Sequence, residues 1–504
     1  MENLIKKRNR SINLKEYKLL CKACDKILLM KSSTKETYAI PFLHVIREHP
    51  FILKRYSNLF DKKNNFSLFY NRIKNLVLVK LFLLNSLIKK NKFDDNLSIT
   101  NKKIDILFVS HLLNHSQIGS EKDFYFGNIP NDLKKNGYNS LISLINHSGR
   151  EVDYLSEQWS SRSKIPRIIL SKSLDFLNEI KIIINVSKES LRLFLFSKKQ
   201  DSKLKKNLFI KSSQECLSHR SIINLRISFQ IKKIISKYNP KILIITHEGH
   251  SYERLIFFEA RKYNKDIKCI GYQHAIIFKF QHAICRNLKQ NYNPDVILTS
   301  GKIGYNKLIK INDLKKVSIR LLGSNKSTNK IIKNKINNKC LVIPEGILEE
   351  CFLLFEFSIQ CALKNPDSEF IWRLHPGIKF SSIKKKIDFD KLPNNITISN
   401  NNLNVDLKEC TWALYRGTTT IIEGVYSGLR PIYLELPNEI NIDPLIELKL
   451  WHESISNSIS FKKIIKNSNS NKWSKKNWLK ATKYCNNFFD PLNMKVLIKT
   501  LKEN

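Results

Sequence analysis

The alternation of short apolar runs with helical segments constrains this chain more than any other feature of its sequence. Runs rich in Ile, Leu and Val recur between residues 104 and 321 and again between 340 and 434, and amphipathic segments separate them. Such alternation predicts parallel sheets covered by helices. A lysine- and asparagine-rich segment, 325–338, divides the two blocks and predicts a hinge. We therefore expect an α/β protein with two Rossmann-like, doubly wound domains that face a cleft.

The predicted layout has a domain pair flanked by helices. We expect a helical prefix over 1–100, an N-terminal Rossmann-like domain over 101–325 with a helical insertion at about 170–238, a C-terminal Rossmann-like domain over 326–440, and C-terminal helices over 441–504. The strands predicted for the first domain are 104–110, 140–145, 242–246, 267–272, 296–300 and 317–321. Those predicted for the second are 340–343, 370–374, 396–399, 412–415 and 431–434.

The chain is strongly basic, with 87 Lys and Arg against 44 Asp and Glu and a formal net charge of +43. A surface of this sign attracts phosphates, nucleic acid or an anionic bilayer. The Lys, Asn and Ile bias of an AT-rich gene is an alternative origin of the charge. The basic residues are spread along the whole chain instead of forming one module with aromatic residues, which argues against a nucleic-acid-binding protein.

Several features concern the location of the protein. The ten cysteines show no framework spacing and predict reduced thiols, and the Cys21–Cys24 pair lacks a second pair that would complete a zinc site. The N-terminus shows no secretory signal. The apolar run 76–88 is too short to span a bilayer, but its flanking lysines suit a helix on an anionic leaflet, with packing on its own domain as the alternative. We expect a cytoplasmic protein, with peripheral attachment to the inner leaflet of the cytoplasmic membrane as a further hypothesis.

Polar residues follow two predicted strands of the first block. The segment after strand 242–246 contains His247, Glu248 and Gly249, and Gln273 and His274 follow strand 267–272. A carboxylate released from a strand end has the chemistry of a general base for a sugar hydroxyl. A structural role, with Glu248 at a helix N-terminus and His247 buried, is the alternative interpretation. Gln273 and His274 are candidates for hydrogen bonds to a ligand in the cleft.

The second block carries the features of an anion site. His375 follows a predicted strand and precedes Pro376, which restricts its backbone, and a fixed His375 or Arg373 is suited to holding a phosphate. Further along, a glycine turn and three hydroxyls precede a predicted helix, where they would cradle a phosphate, with an acidic residue one turn on that could hold a ribose; these are Gly417, Thr418, Thr419, Thr420 and Glu423. A helix capped by threonine is the structural alternative. The sequence lacks GxxxxGK[ST], HExxH and GxSxG motifs, which removes support for ATPase, zincin and hydrolase functions.

Taken in order, three motifs resemble the signatures of bacterial sialyltransferases and related capsule glycosyltransferases: His247-Glu248-Gly249, Leu374-His375-Pro376, and the Gly417 turn with its threonines. The resemblance implies a GT-B fold whose second domain holds the donor. It implies that Glu248 is the general base on the acceptor hydroxyl, that His375 contacts the donor phosphate, and that the threonines bind it. One acidic residue precedes Gly249 where the signature often has two, so CMP, UDP and CDP donors all stay open.

The function expected from this resemblance is transfer of a sugar, sialic acid or Kdo-like, from a nucleotide-sugar donor to a surface polysaccharide, another glycan or a lipid-linked acceptor. No cofactor is expected. Metal is not expected either, because no DxD carboxylate pair stands at a strand end. A nucleotide-sugar epimerase of the same fold and a basic nucleic-acid-binding protein are the alternatives.

Overall fold

The first of two parallel sheets lies in the N-terminal half of the chain. The computed structural model describes residues 11–60, 100–160, 164–326 and 336–503. The strands of this sheet are β1 (Ile106–Leu112), β2 (Ser140–Asn146), β3 (Arg167–Ile169), β4 (Ile242–Thr246), β5 (Lys268–Gln273), β6 (Val296–Thr299) and β7 (Ser318–Leu321). They are ordered β3-β2-β1-β4-β5-β6-β7. The order reverses between β1 and β4, and the loops diverge there to leave a crevice at the carboxyl ends of the strands.

The second sheet repeats this plan in the C-terminal half. Its strands are β8 (Lys339–Ile343), β9 (Glu369–Trp372), β10 (Ile396–Ile398), β11 (Trp412–Tyr415), β12 (Arg430–Leu434) and β13 (Glu453–Ile455). They are ordered β10-β9-β8-β11-β12-β13 and are parallel throughout, with the reversal between β8 and β11. The predicted fold class, two Rossmann-like doubly wound α/β domains of GT-B type with helices at both ends, is confirmed.

Helices surround the first sheet. Those of the prefix are α1 (Leu14–Leu29), α2 (Lys35–Tyr38), α3 (Pro41–His44) and α4 (Pro50–Leu53). The domain itself contains α5 (Ile129–Lys135), α6 (Val152–Ser160), α7 (Phe176–Ser197), α8 (Lys203–Cys216), α9 (His219–Tyr238), α10 (Ser251–Tyr263) and α11 (Lys302–Leu308). Helices α7 to α9 occupy the region predicted as a helical insertion. Leu20 and Leu43 of the prefix are buried in one apolar cluster with Val186 and Leu208 of this insertion, which holds the prefix against the first domain.

The remaining helices belong to the C-terminal half. They are α12 (Leu348–Lys364), α13 (Phe380–Lys384), α14 (Leu403–Glu409), α15 (Ile421–Tyr426), α16 (Ser458–Lys466), α17 (Lys475–Asn486) and α18 (Met494–Lys502). The end predicted for the second domain, residue 440, is wrong, because β13 pairs with β12 beyond it. Helix α18 returns to the first domain, where Leu497 and Leu501 pack in the same cluster as Phe108 of β1.

Peripheral membrane contact through the prefix was a hypothesis from the sequence. Among the helices in the described ranges, none is both long and apolar enough to cross a bilayer. The segment 76–88, for which an interfacial helix was predicted, lies outside the described residues.

Candidate active site

The loop between β4 and α10 is held by one buried carboxylate. Glu253, which is 1% exposed, accepts hydrogen bonds from the backbone N–H groups of Glu248 (3.0 Å), Gly249 (2.7 Å) and His250 (3.0 Å). It also bonds Nδ1 of His247 at 2.8 Å. These bonds satisfy the backbone N–H groups of the two loop residues before α10 and of its N-cap residue, His250. The role of Glu253 is therefore to shape the loop that presents Glu248.

Gly249 permits a close backbone approach in the same loop. Its φ is +90°, and a Cβ on this residue would lie 2.4 Å from the carbonyl carbon and oxygen of Ala283. No side chain fits there, and the φ value favours glycine independently. Gly249 therefore allows the loop backbone to adopt this conformation. From the sequence, it had been predicted as one of the residues that line the cleft.

The side chain of Glu248 points at a histidine and an arginine. Its carboxylate lies 3.4 Å from Nε2 of His274 and 3.8 Å from Nη2 of Arg47 in the prefix. Burial raises the pKa of Glu248, but the surrounding groups, led by His250, His274 and Arg47, outweigh burial and lower it below its ordinary value. Glu248 is therefore ionised at neutral pH and able to accept a proton.

The other two polar candidates of this domain are buried away from Glu248. His247 is 0% exposed, and its bond to Glu253 matches the structural interpretation of this residue. Gln273 is 2% exposed, and its Nε2 donates to the carbonyl oxygen of Ala275 while its Oε1 packs against Gly304. The structure brings His274 to Glu248 but does not bring Gln273 there.

Two histidines that the sequence analysis missed stand at the reversal of the first sheet. His111 near the end of β1 bonds His147 after β2 (3.0 Å), and also Thr246 of β4 and the hydroxyl of Tyr252 (3.2 Å each). Burial, together with the charges of His147 and His274, lowers the pKa of His111 to about 3, so its ring is neutral at physiological pH. Both residues follow the strand-end rule that singled out Glu248.

Three loops of the second domain meet at the reversal of its sheet. A Cβ on Gly346, after β8, would lie 2.9 Å from Cε1 of His375, and a Cβ on Gly417, after β11, would lie 3.0 Å from Oε1 of Glu345. His375 and the Gly417 turn therefore flank the same two-residue segment, Glu345-Gly346. The backbone N–H of Gly377 donates to Nδ1 of His375 at 3.0 Å, so the neutral ring carries its proton on Nε2 and can donate from that atom.

The threonines differ in accessibility. Thr418 is 6% exposed, and its hydroxyl accepts from the N–H of Thr420 at 3.3 Å, whereas Thr419 is exposed. Glu423 is exposed on α15. Arg373, a predicted phosphate ligand, instead forms an ion pair with the fully buried Asp406 at 2.6 Å, so its charge is compensated within the domain.

Residues from outside the two sheets connect the two clusters. Lys326, in the connection between the domains, interacts electrostatically with His274 of the first domain and with Glu423 of the second. His49 of the prefix bonds Glu345 through Nε2 at 2.5 Å, two residues after Arg47. No role at the cleft was predicted for the prefix, but two of its basic side chains, Arg47 and His49, contact these clusters.

One group of side chains has the composition of a metal site. His49, Glu345 and Glu350 offer ligand atoms that lie within 4.8 Å of one another. Glu350 is ion-paired with Arg416 at 2.8 Å, and Arg416 also contacts Glu439. The guanidinium already supplies a positive charge to this group, which opposes a divalent cation.

Comparisons with known proteins identify no family. No family model matches the sequence, and no curated protein matches it. Among solved structures, the glycotransferase of kitacinnamycin aligns with 80% of this chain and 100% of its own, at 10% identity and a TM-score of 0.47. MurG of Acinetobacter baumannii aligns over 79% and 99% (9% identity, TM-score 0.43), and a putative UDP-N-acetylglucosamine 2-epimerase of Listeria monocytogenes over 79% and 96% (13%, 0.45). Likeness at this level defines no reaction.

Proposed function

We propose that this protein is a glycosyltransferase that moves a sugar from a nucleotide-sugar donor to an acceptor hydroxyl. The observation that carries the proposal is the placement of two chemically different strand-end clusters. A carboxylate–histidine cluster stands at the reversal of the first sheet, and an imidazole with a glycine–threonine turn stands at the reversal of the second. Lys326 interacts with members of both. Open α/β sheets bind ligands at such reversals.

Glu248 would act on the acceptor. As the acceptor oxygen bonds to the anomeric carbon, its proton passes to the Glu248 carboxylate, and the bond from the anomeric carbon to the donor phosphate breaks. Because the pKa of Glu248 is lowered, it is a weak base. Proton transfer should therefore occur late, when the forming bond has already acidified the hydroxyl.

His375 would act on the donor. Its Nε2–H is the donor available for a phosphate oxygen, since Nδ1 is taken by Gly377. Burial lowers the pKa of His375 and the charge of Glu345 raises it, with a net lowering, so the ring assists as a neutral hydrogen-bond donor. The Gly417 turn and the exposed hydroxyl of Thr419 would stabilise charge that grows on the leaving nucleotide.

Glu345 places a negative charge beside the proposed donor site. Its carboxylate touches the Gly417 turn, where it would repel a phosphate. The His49 imidazole donates a hydrogen bond to this carboxylate at 2.5 Å, which partly offsets its charge. We include His49 in the donor site for this reason, and transfer would proceed without a metal ion.

A narrower proposal concerns substrates and location. The order of the motifs at 247–249, 374–376 and 417–420 supports a sialic acid or Kdo-like sugar and a surface polysaccharide or lipid-linked acceptor. The net charge of +43 supports work at the inner leaflet of the cytoplasmic membrane. CMP, UDP and CDP donors fit the same cradle.

Nucleotide binding followed by transfer tests the proposal. Thermal shifts with CMP, UDP, CDP and GDP identify the donor base, because a ligand that binds only the native state raises its stability. The matching nucleotide sugar is then incubated with and without candidate acceptors. Release of nucleotide with sugar appearing on the acceptor supports transfer, whereas conversion of the donor alone identifies an epimerase. Affinity for RNA or DNA at physiological salt, without any nucleotide shift, would favour the nucleic-acid alternative.

A further inference from the structure

A cavity of about 860 Å³ lies outside the candidate active site. It opens to solvent and is bordered by α1 of the prefix, by the loop that follows β5, and by α11. Most of its surface is apolar, and the side chains that form its interior include Tyr17, Ile277, Phe278, Phe280 and Ile303. Cavities of this size hold small-molecule ligands.

The rim of the cavity is basic. Lys18, Lys22 and Lys26 line it from one face of α1, at intervals of four residues, and all three are exposed. Exposed Lys279 and Lys310 line it from the loop and from the segment after α11. Residues four apart on a helix are neighbours, so the three lysines of α1 form a continuous row.

The acidic residues of the cavity do not cancel this charge. Asp25 bonds Arg286 and His282 at 2.7 Å each, which compensates its carboxylate. Glu447 lies 3.8 Å from the Nζ of Lys307. The lysine rim therefore presents a net positive charge beside an apolar interior.

We propose that this cavity binds a single-chain lipid phosphate, with the hydrocarbon chain in the apolar interior and the phosphate at the row formed by Lys18, Lys22 and Lys26. An apolar chain gains free energy on leaving water, and closely spaced ammonium groups attract a phosphate. A nucleotide fits less well, because its polar ribose and phosphates would contact the apolar interior without partners. This binding does not depend on the proposed transferase function.

Isothermal titration with dodecyl phosphate below its micelle concentration tests the proposal on the full chain. Inorganic phosphate supplies the head without the chain, and dodecyl maltoside supplies the chain without the charge. We expect one dodecyl phosphate per protein, with each control at least about tenfold weaker. Equal binding of inorganic phosphate, or of dodecyl maltoside, would overturn the assignment.

Two variants locate the site. The double variant Lys18→Gln/Lys22→Gln should weaken dodecyl phosphate binding about tenfold, since exposed charges each contribute modestly. Asn306→Trp places a bulky ring into the cavity from an exposed position on its lining and should abolish binding. Lys15→Gln, an exposed lysine of the same helix that does not line the cavity, is the matched control and should bind as the wild type. Unchanged binding in the double lysine variant would refute the proposal even if Asn306→Trp fails to fold.

Discussion

Replacing Gly249 tests the loop conformation that presents Glu248. An alanine would keep the φ of +90° only at a cost of about 1–3 kcal/mol. Its Cβ would also lie 2.4 Å from the Ala283 carbonyl, and relieving such overlap costs about 1–3 kcal/mol. We expect Gly249→Ala to lower the free energy of unfolding in urea by about 2–6 kcal/mol. Displacement of Glu248 by about 1 Å should reduce transfer on the order of a hundredfold.

Gly137 provides a matched control for this prediction. Its φ is +85°, but no atom of the described chain lies within 4 Å of a Cβ placed there. Gly137→Ala therefore carries the backbone cost without the overlap, and we expect a loss of about 1–3 kcal/mol with unchanged activity. Equal destabilisation by the two substitutions would show that the contact between Gly249 and Ala283 is absent. Full activity in Gly249→Ala would separate this loop from the chemistry.

Three further predictions concern the site and its surroundings. Glu248→Gln and His375→Ala should each retain the wild-type circular dichroism and lose transfer about a hundredfold or more, and near-normal turnover would remove that residue from the mechanism. Burial raises the pKa of Glu48 from 4.5 to about 7, so the native state retains its proton while the unfolded chain ionises. The stability that this group contributes is complete below pH 4.5 and falls by about 3 kcal/mol as the pH rises through 7; urea denaturation at pH 4.5, 6 and 8 should show this slope, and its persistence in Glu48→Gln would contradict the assignment. Transfer should continue in EDTA because Arg416 pairs with Glu350, and a loss of activity that Mg²⁺ restores would instead place a metal at this group.

The central strands could be predicted because each is a local apolar run. Strand β4 begins and ends where it was predicted. Polar residues flank its five residues in the sequence, and all five are buried in the structure. Strands β3 and β13 escaped prediction because each has three residues and includes a charged one, Arg167 or Glu453. Their conformation depends on the neighbouring strand that they pair with. The return of α18 to the first domain is likewise set by tertiary packing, which helical spacing does not record.

The sequence indicated which polar residues follow the strand ends, but it did not indicate which side chains those residues bond. Glu248 and His375 were selected because residues after parallel strands collect at one edge of a sheet, and the same rule applied to β1 and β2 would have selected His111 and His147. Arg373 has the chemistry of a phosphate ligand, but its bond to Asp406 spans 33 positions and leaves no local pattern. The sequence therefore indicates which chemical groups stand at a strand end, but only the structure shows which of them are already paired with other side chains.

Two neighbouring residues of the prefix, Arg47 and His49, each contact one of the two clusters. Arg47 faces Glu248 of the first domain and His49 bonds Glu345 of the second, yet the Cα atoms of two residues so close in sequence lie at most about 7 Å apart. The two carboxylates are thus both within side-chain reach of one short segment. Arg47 is 55% exposed and its contact is long, so it can yield to an acceptor, whereas His49 is 8% exposed and holds Glu345 closely. The prefix would therefore leave the acceptor side open while it compensates the charge beside the donor phosphates.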